Sequence, residues 1–400
     1  MINKYIIIGL VIAILFGCTK EDPVITTDVY SCQSNIDNIH PKAKKYQSFI
    51  EEKVAQGLPG ISMLIETPEG IWTGAAGVAD IPNDIAMRSC NLHKVGSITK
   101  SFTATLILKL YEKEELNLDD TVSQYLNDII VEKVANTREA TIRQLLNHTS
   151  GIPDYLSQIP YYVAYLNDPV YKWTVQEELE YVFNIDSLYK PGSLVSYSNT
   201  NYLLLGMIVE KITGKSGTQL YKEMIFDPLG MMDTHFNQNG EIPSNLVRGY
   251  YEENGKGDFV DITTHSFANH SMVGGVSSTV EDLNKYLKAM LVDKSIFPNR
   301  ILDKMLYIDD TPFKKPEDFE YGNEYNVKSV AGFGLGWIKM KSMHGDVIGH
   351  NGGYNGRRAR MWFFPYAQSS IVYFINASGE SIETITKELH RNEMVDLISL

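Results

Sequence analysis

A serine and a lysine lie three positions apart in the stretch "HKVGSITKSFTATLILKL", which covers residues 93–110. At the start of a helix, residues i and i+3 share a face, so Ser97 and Lys100 can come within hydrogen-bonding distance. Burial disfavours the charged form of a lysine and lowers its pKa, and a neutral amine can take the proton of a hydroxyl. Unpaired backbone N–H groups at a helix start favour negative charge beside Ser97. The pattern therefore predicts a nucleophile, its base and half of an oxyanion hole on one helical turn.

The spacing Ser-x-x-Lys is not specific by itself, because Ser187 and Lys190 in "DSLYKPGS" have it too. Pro191 and Gly192 follow that second pair directly and would break any helix there. The second pair lacks the required geometry, and we expect it to have no catalytic role.

Two further segments carry polar residues at the ends of predicted elements. "YSNTNYLLLGMIVEKITG" places Tyr197 and Asn199 at the end of a loop, directly before an apolar helix. "GHNGGYNG" places His350, Gly352 and Gly353 on a strand edge, where glycines let backbone N–H groups approach a substrate closely. Taken alone, each feature has an ordinary structural explanation: a tyrosine packed at a helix start, a histidine at a strand end and a glycine turn.

The elements that must position these residues follow from hydrophobic periodicity. The helix that begins near Ser97 is apolar almost all round and therefore belongs inside the protein. Its apolar residues recur every four positions, at Ile98, Phe102, Leu106 and Leu110. "ISMLIETPEGIWTGAAGVAD" predicts two strands joined by a turn at residues 68–70.

The order of elements predicts how the chain is organised. The segment from about residue 118 to about residue 315 is mostly helical and loop-rich, short β-rich runs follow Gly332, and the last twenty residues have the pattern of an amphipathic helix. We therefore expect one α/β domain made from residues 38–117 and 325–400. A mostly helical domain of residues 118–324 is inserted in it, with the catalytic site between the two.

Composition and charge exclude some functions. The 400 residues are 44% hydrophobic and 21% charged, which is typical of a soluble globular protein. The formal net charge is -13, and no basic run interrupts the acidity. Binding to phosphate backbones needs clustered Lys and Arg, so we expect no nucleic-acid partner.

The N-terminal residues differ from the rest of the chain. The run "IIIGLVIAILFG" before Cys18 is shorter than the roughly 20 apolar residues of a membrane-spanning helix. It predicts a signal peptide over residues 1–17, with an uncleaved short anchor as the alternative. "LFGC" resembles a bacterial lipobox, so we expect a lipid on Cys18, a tether over residues 18–37, and a protein anchored in the cell envelope, facing the periplasm or the outside.

Two other cysteines remain if Cys18 is acylated. Cys32 and Cys90 would then lie in an oxidising compartment where disulfides persist. The sequence leaves open whether they pair or stay as two buried thiols.

Together, three motifs carry a resemblance to a known family. Ser97-Ile-Thr-Lys100, Tyr197-Ser-Asn199 and His350-Asn-Gly352 stand in the order and rough spacing of the serine β-lactamase and penicillin-binding-protein superfamily. The chain most resembles its class C β-lactamase and DD-carboxypeptidase branch. The resemblance runs from about residue 40 to about residue 390 and includes "LLNHTSGIPDY", "PLGMMDT", "GGVSSTVEDL" and "FGLGW".

The resemblance implies a fold and a set of roles. The fold would be an α/β (α+β) arrangement in which helices flank an antiparallel sheet. Ser97 would become acylated, with Lys100 as base, and Tyr197 would carry the proton to the leaving group and later activate water. Asn199 would bind the substrate's amide, and the N–H groups of Ser97 and Gly353 would form the oxyanion hole. Gly352 completes the third motif, and no cofactor is implied.

The third motif departs from the Lys-Thr-Gly form of β-lactamases. His350 replaces that lysine, and a histidine is largely neutral at pH 7, so a permanent charge that would hold a β-lactam carboxylate is missing. Arg357 or Arg358 could substitute for it, but we expect both to face solvent. True β-lactamase activity is correspondingly disfavoured.

Other candidate sites fail on their surroundings. "ITGKSG" ends like a phosphate loop, but Val209 occupies the position of the required upstream glycine, so it predicts a helix end. His265 and His270 lack a metal-binding pattern, and we expect no metal site. "GFGLG" has the alternate glycines of a dinucleotide-binding loop, but no helix follows it. It therefore predicts a strand.

The sequence therefore predicts a serine hydrolase with an acyl-enzyme on Ser97. The expected substrate is a small peptide or ester, with a D-Ala-D-Ala peptide of the cell wall first and a carboxylic ester second. The alternatives are a β-lactamase, a D-aminopeptidase and a non-catalytic protein that binds penicillin or peptidoglycan. We expect a monomer that contacts the lipid membrane through Cys18.

Overall fold

The computed structural model describes residues 30–34, 36, 39–236, 242–243, 245–266, 271–308, 311–313, 332–342, 344–389 and 397–398. The predicted signal peptide, Cys18 and most of the predicted tether lie outside these residues. A search of the described residues for a helix that is long and apolar enough to cross a membrane finds none.

Fourteen strands and eleven α-helices are defined in the described residues. The strands are β1 Gly60–Thr67, β2 Gly70–Asp80, β3 Ile85–Ala86, β4 His93–Lys94, β5 His235–Phe236, β6 Tyr250–Glu252, β7 Phe259–Asp261, β8 Val276–Ser278, β9 Gly332–Phe333, β10 Ile338–Ser342, β11 Gly345–Tyr354, β12 Arg357–Phe364, β13 Ser369–Ile375 and β14 Ala377–Ser378. The helices are α1 Ala43–Ala55, α2 Thr99–Glu112, α3 Asp128–Lys133, α4 Ile142–Leu146, α5 Ile159–Asn167, α6 Val175–Glu180, α7 Asn199–Thr213, α8 Gly217–Tyr221, α9 Val280–Leu291, α10 Asn299–Met305 and α11 Glu380–Glu388.

Strands from both ends of the chain form the main sheet. Its eight strands lie in the order β3-β2-β1-β13-β12-β11-β10-β9, and β1 pairs antiparallel with both β2 and β13. The predicted strands around the turn at residues 68–70 and the predicted C-terminal strands are confirmed. The antiparallel sheet with flanking helices implied by the resemblance is also confirmed. The division into two domains stays a prediction.

Both faces of the sheet are buried, and alternate residues of a strand pack into different hydrophobic cores. On β13, Val372 and Phe374 belong to the core that contains α2 and α9, whereas Ile371 and Tyr373 belong to the core that contains α1 and α11. Side chains alternate across a strand, so a continuous apolar run is what a strand covered on both faces requires. Helix α2 lies inside the first core, as its all-round apolar pattern predicts.

Helix α7 ends where the sequence predicts a helix end. Gly214 follows Thr213 with a φ of 67°, a left-handed conformation that glycine adopts without a steric penalty. The "ITGKSG" segment is therefore a helix C-terminus. Ser187 and Lys190 lie in irregular structure, so the second Ser-x-x-Lys pair lacks helical geometry.

The predicted C-terminal amphipathic helix is present in part as α11. It begins at Glu380, and Ile382, Ile385 and Leu389 are buried at spacings of three and four residues. Most of the residues after Leu389 lie outside the described part of the chain.

Cys32 and Cys90 form a disulfide, which settles the question that the sequence left open. Their Cα atoms are 5.9 Å apart, an ordinary separation for a bridged pair. The Asn91 side chain donates to the Tyr30 carbonyl over 3.0 Å beside it. The first described residues are thus tied to the loop that precedes β4.

We predict that removing this disulfide lowers the free energy of unfolding. The bridge joins residues 58 positions apart, and for loops of that size the loss is about 2–4 kcal/mol. Denaturant unfolding of the Cys32→Ser/Cys90→Ser variant measures it, and the reduced wild-type protein should match the variant. An unchanged denaturation midpoint in both would contradict the prediction.

Candidate active site

Ser97 lies in a tight turn at the start of a buried helix. Residues Gly96–Ile98 form a single 3₁₀ turn, and α2 begins at Thr99. Gly96 has a φ of 56°, and a Cβ atom there would lie 2.7 Å from the Gly353 nitrogen. Glycine is therefore required at this position, because the turn is left-handed and touches β11. The predicted location of Ser97 at a helix start is confirmed.

Lys100 is the central residue of the site. Its side chain is 0% exposed, and its Nζ lies 3.1 Å from Ser97 Oγ, 2.9 Å from Asn199 Oδ1 and 3.1 Å from the Val273 carbonyl oxygen. Burial lowers the pKa of Lys100 to about 7, against a smaller opposing effect of the Asp154 charge. The buried position that the sequence predicts for this lysine is confirmed.

The three partners of Lys100 differ in what they can offer. The Asn199 side-chain oxygen and the Val273 carbonyl are only acceptors, so they take two N–H groups of the amine. A neutral amine has two N–H groups and one lone pair. The remaining position faces Ser97 Oγ, so in the neutral form the lone pair points at the serine hydroxyl. This arrangement suits Lys100 to act as a general base.

Tyr197 contacts the same serine oxygen from another side. Its hydroxyl donates to Ser97 Oγ over 2.9 Å, and Lys100 Nζ lies 5.0 Å from the centre of its ring. With Ser97 donating to a neutral Lys100, the three groups form a chain of hydrogen bonds from tyrosine to lysine. Such a chain can move a proton between the amine and a group bound beside Tyr197.

Asp154 fixes the orientation of Asn199 and was not predicted as a site residue. Its carboxylate accepts from the Asn199 backbone N–H and from Asn199 Nδ2, each over 3.0 Å. The Asn199 oxygen is thereby turned toward Lys100. The segment "LLNHTSGIPDY" was noted in the sequence, but no role followed from it for Asp154. The predicted role of Asn199 toward a substrate amide stays a prediction.

His148 supports Tyr197 and was likewise missed. It is a non-glycine residue with a φ of 61°, a costly conformation that occurs more often at functional sites. Its Nδ1 accepts from the Ser198 N–H over 3.2 Å, and its ring packs against the Tyr197 ring at a tilt of 32°, with 4.3 Å between centroids. Burial holds the pKa of His148 well below its usual value, so the ring is a neutral support.

Strand β11 brings its glycines against the Ser97 turn. Among the residues that the structure describes, β10 pairs with β11 from Gly345 to Gly349 and not beyond, so the following residues lie at an edge of this pairing, as predicted. A Cβ atom on Gly352 would overlap the Val95 carbonyl oxygen and lie 3.3 Å from the Ser97 nitrogen. The backbones of the serine turn and of Gly352 and Gly353 are therefore in contact. The oxyanion hole formed by Ser97 and Gly353 stays a prediction.

His350 supplies no positive charge to the site. It is 2% exposed, and its Nδ1 lies 2.6 Å from the Asn351 carbonyl oxygen. Burial lowers the pKa of His350 to about 3, which favours the neutral ring that the sequence predicts.

The predicted solvent orientation of the two arginines after β11 is wrong for Arg357. It is 3% exposed and donates to the Val247 carbonyl over 3.1 Å, because the loop at residues 247–249 covers this end of β12. Arg358 is partly exposed and forms an ion pair with Glu383.

The predicted absence of a metal site concerns His265 and His270. His265 Nδ1 lies 2.9 Å from the Tyr165 hydroxyl, whereas His270 lies outside the described residues. A search of the described part of the chain finds no group of three potential His, Cys, Asp or Glu ligands.

Comparisons with known proteins agree with this geometry. Residues 46–392 match the family described as Beta-lactamase. Penicillin-binding protein 4* of Bacillus subtilis (strain 168) is 26% identical over 335 residues, which is 80% of this chain and 69% of that protein. The chain spans about two thirds of the length of the curated relatives that it matches.

Two solved structures share the fold over most of the chain. A D-stereospecific amidohydrolase from Streptomyces sp. has a TM-score of 0.74 and 28% identity, over 88% of this chain and 98% of that one. A D-amino acid amidase from Ochrobactrum anthropi SV3, complexed with L-phenylalanine amide, has a TM-score of 0.73 and 26% identity, over 89% and 96% of the two chains.

We predict that Asp154→Asn shifts the pH dependence of Ser97 acylation. The Asp154 charge raises the pKa of Lys100, so its removal lowers that pKa further, and the acid limb of the rate profile moves below pH 7. The plateau rate also falls, because one oxygen that holds Asn199 becomes an amide nitrogen. The measurement is the second-order rate constant with a p-nitrophenyl ester across the neutral pH range.

Asp119→Asn is the matched control, because Asp119 pairs with Arg143 at the surface and should leave the profile unchanged. An Asp154→Asn profile with the wild-type midpoint would contradict the assigned role, even if the plateau fell.

Proposed function

The chain belongs to the beta-lactamase family of serine hydrolases, and from that premise we propose that it hydrolyses an amide or ester through an acyl-enzyme on Ser97. The observation that carries the proposal is the position of Ser97 Oγ, 3.1 Å from Lys100 Nζ and 2.9 Å from the Tyr197 hydroxyl oxygen. A nucleophile with a base on one side and a proton donor on the other fits two-step acyl transfer.

In the acylation step, the Lys100 lone pair takes the Ser97 proton and Oγ attacks the substrate carbonyl carbon. The carbonyl oxygen becomes negative and lies against the N–H groups of Ser97 and Gly353. When the tetrahedral intermediate collapses, Tyr197 gives a proton to the departing amine or alcohol. Tyr197 recovers its proton from Lys100, which returns to the neutral form.

In the deacylation step, water replaces the leaving group. As the water attacks the ester carbonyl, Tyr197 takes a proton from it and passes its own hydroxyl proton to neutral Lys100. The Ser97 oxygen then leaves with that proton from Lys100. The free acid departs, and the three side chains return to their starting states.

We favour D-aminoacyl amides and peptides with a neutral leaving end as substrates. The neutral, buried His350 offers no cation for a substrate carboxylate. The two structural neighbours named above are a D-stereospecific amidohydrolase and a D-amino acid amidase, which supports amides. A D-Ala-D-Ala carboxypeptidase is the second candidate, supported by the penicillin-binding relative.

We also propose that the protein resides in the cell envelope. The predicted signal peptide and Cys18 support export and lipid anchoring. The Cys32–Cys90 disulfide supports an oxidising compartment, because such bridges are rare in the reducing cytosol.

We predict that Ser97 becomes covalently acylated and that Ser97→Ala lowers turnover at least about 1,000-fold, because the nucleophile is lost. Intact-protein mass and product release are measured with D-phenylalanine amide, L-phenylalanine amide, a D-Ala-D-Ala peptide, a penicillin and a p-nitrophenyl ester. The D-amide should turn over fastest among the amides.

Ser187→Ala is the matched control, because Ser187 stands in the second Ser-x-x-Lys pair and is exposed. It should retain wild-type rates. Full turnover by Ser97→Ala would refute the proposal. A stable adduct without turnover on every substrate would instead identify a binding protein, and the fastest reaction with penicillin would identify a β-lactamase.

A further inference from the structure

An exposed stripe of large apolar and aromatic side chains runs along α5 and the residues that follow it. In α5 these side chains stand at positions i, i+3, i+4 and i+7, which is one face of a helix. Exposed apolar residues usually occur singly, so a contiguous stripe marks a binding surface. The members of this α5 stripe are between 40% and 78% exposed and are Ile159, Tyr162, Val163, Leu166, Val170 and Tyr171.

The opposite face of α5 is fixed to the protein. Tyr161 is buried, and its ring packs edge-on against the rings of Tyr155 and Tyr181, with 5.2 Å between centroids in both cases. Tyr165 is also buried, and its hydroxyl lies 2.9 Å from His265 Nδ1. The helix is therefore firmly packed on its inner side, and the stripe is a permanent part of the folded surface.

The composition of the stripe limits what can bind it. From Tyr155 to Tyr171, Asp168 is the one charged residue, so this surface offers little to a charged ligand. Tyrosine rings are typical of the membrane–water interface, and aliphatic side chains enter the acyl boundary below it. A helix of nine residues is about 14 Å long, too short to cross a hydrocarbon core of about 30 Å, so α5 would lie along the surface.

The size of the stripe does not suit a stable dimer. A standard interface buries about 800 Å² on each partner. The outer face of α5 is about 14 Å long and about 10 Å wide, which is a small part of such an interface. A second copy of the chain is therefore the less suitable occupant.

The N-terminal segment joins the described fold close to α5. Tyr30 packs in a small cluster with Val247. At the C-terminal end of α5, the Pro169 carbonyl accepts from the Ser266 backbone N–H over 2.7 Å. Strands β6 and β7 pair antiparallel between these two contacts and bring the ends of the segment 247–266 together. The start of the described chain and the end of α5 thus contact the same hairpin.

This position brings the stripe within reach of a bilayer. Residues 18–29 can span at most about 40 Å when fully extended. A lipid on Cys18 would therefore hold Tyr30, and with it the hairpin and α5, near the membrane surface.

We propose that the α5 stripe binds the surface of a lipid bilayer and inserts its apolar side chains at the boundary between headgroups and acyl chains. The proposal rests on the envelope location proposed above and not on the hydrolase activity. Since the contact is apolar, neutral lipids are sufficient for it. Asp154 precedes α5 closely and binds Asn199, so the contact would hold the catalytic residues near the bilayer.

The test measures whether position 166 enters lipid. The full chain carries Cys18→Ser and Leu166→Cys, and a nitrobenzoxadiazole dye is attached to the introduced thiol, since Cys32 and Cys90 are bridged. With dioleoylphosphatidylcholine vesicles, the emission should shift to shorter wavelength and should be quenched by lipids with a nitroxide near the headgroup. The same dye on Met232→Cys, at an apolar residue that is 74% exposed outside the stripe, should not respond.

The double variant Ile159→Ser/Val163→Ser in the labelled chain should raise the lipid concentration at half-maximal response about 10-fold, because two apolar side chains no longer leave water. Val292→Ser, at an exposed valine after α9, is the matched control and should leave the response unchanged. Thermal unfolding checks that each variant is folded.

An unchanged emission at position 166 in the presence of vesicles would overturn the proposal, and an equal shift at position 232 would overturn the assigned surface. A shift without vesicles, together with a dimer mass in sedimentation equilibrium, would identify a second copy as the occupant instead. A raised KM for a soluble ester in the double variant, without a vesicle response, would assign the stripe to the substrate.

The dye reports on position 166 itself, so its response does not depend on how the chain is held. The intact mass of the wild-type chain separately tests the lipid on Cys18. An unlipidated wild-type chain would refute the proposed anchoring, while a lipid-dependent shift at position 166 would still support the α5 contact.

Discussion

The structure depends on a lysine amine that is buried among neutral oxygen atoms. Lys100 Nζ has three hydrogen-bond partners, namely the Ser97 hydroxyl, the Asn199 amide oxygen and the Val273 carbonyl. A carboxylate in direct contact would keep the amine charged and useless as a base. Here the Asp154 carboxylate does not contact the amine but binds Asn199, which lies between them. The effect of burial on the pKa of Lys100 therefore exceeds that of the Asp154 charge, and the pKa falls to about 7. A base with a pKa near neutral pH is deprotonated in a large fraction of molecules and is still basic enough to take a proton from the nucleophile.

The rest of the fold serves to hold that environment dry and rigid. The 3₁₀ turn at residues 96–98 carries Ser97, and helix α2 carries Lys100 into the core that contains α2 and α9. Helix α7 begins at the asparagine that contacts the amine. The sheet combines strands from both ends of the chain, which allows β11 to run past the serine turn at glycine contact distance. Residues that are far apart in sequence, such as Lys100, Asn199 and Val273, are therefore linked by direct hydrogen bonds.

Local patterns allowed much of this to be predicted from the sequence. The Ser97–Lys100 pair stands at the start of a long apolar helical pattern, so its spacing together with that pattern predicts the contact. The strands about residues 68–70 and after Gly332 follow from alternation and turn residues. The close backbone approach at Gly352 and Gly353 of β11 could be predicted because glycine has no side chain to prevent it. These features depend on neighbours in sequence, which a single chain displays directly.

The remaining contacts of the site depend on tertiary packing, and the residue types involved do not predict them. The Val273 contact uses a backbone carbonyl, which any residue could supply. Asp154 and His148 act by holding other side chains, so their roles appear only when α7 and the preceding loops are placed together. Arg357 is buried because a distant loop covers it, although a charged residue after a strand usually faces water. The pairing of Cys32 and Cys90 could not be predicted for the same reason, because it depends on the distance between the two residues in the fold.

The assigned role of Lys100 as a base requires that its amine titrates near neutral pH in the free protein. It is tested most directly by NMR titration of the lysine side chains labelled at Cε and Nζ. The Lys100 signal is identified by its absence from a Lys100→Arg variant, because burial also lowers the pKa of Lys94. We predict a Lys100 midpoint near pH 7, as the pKa of about 7 requires. A Lys100 signal that still titrates with the exposed lysines, far above neutral pH, would contradict it.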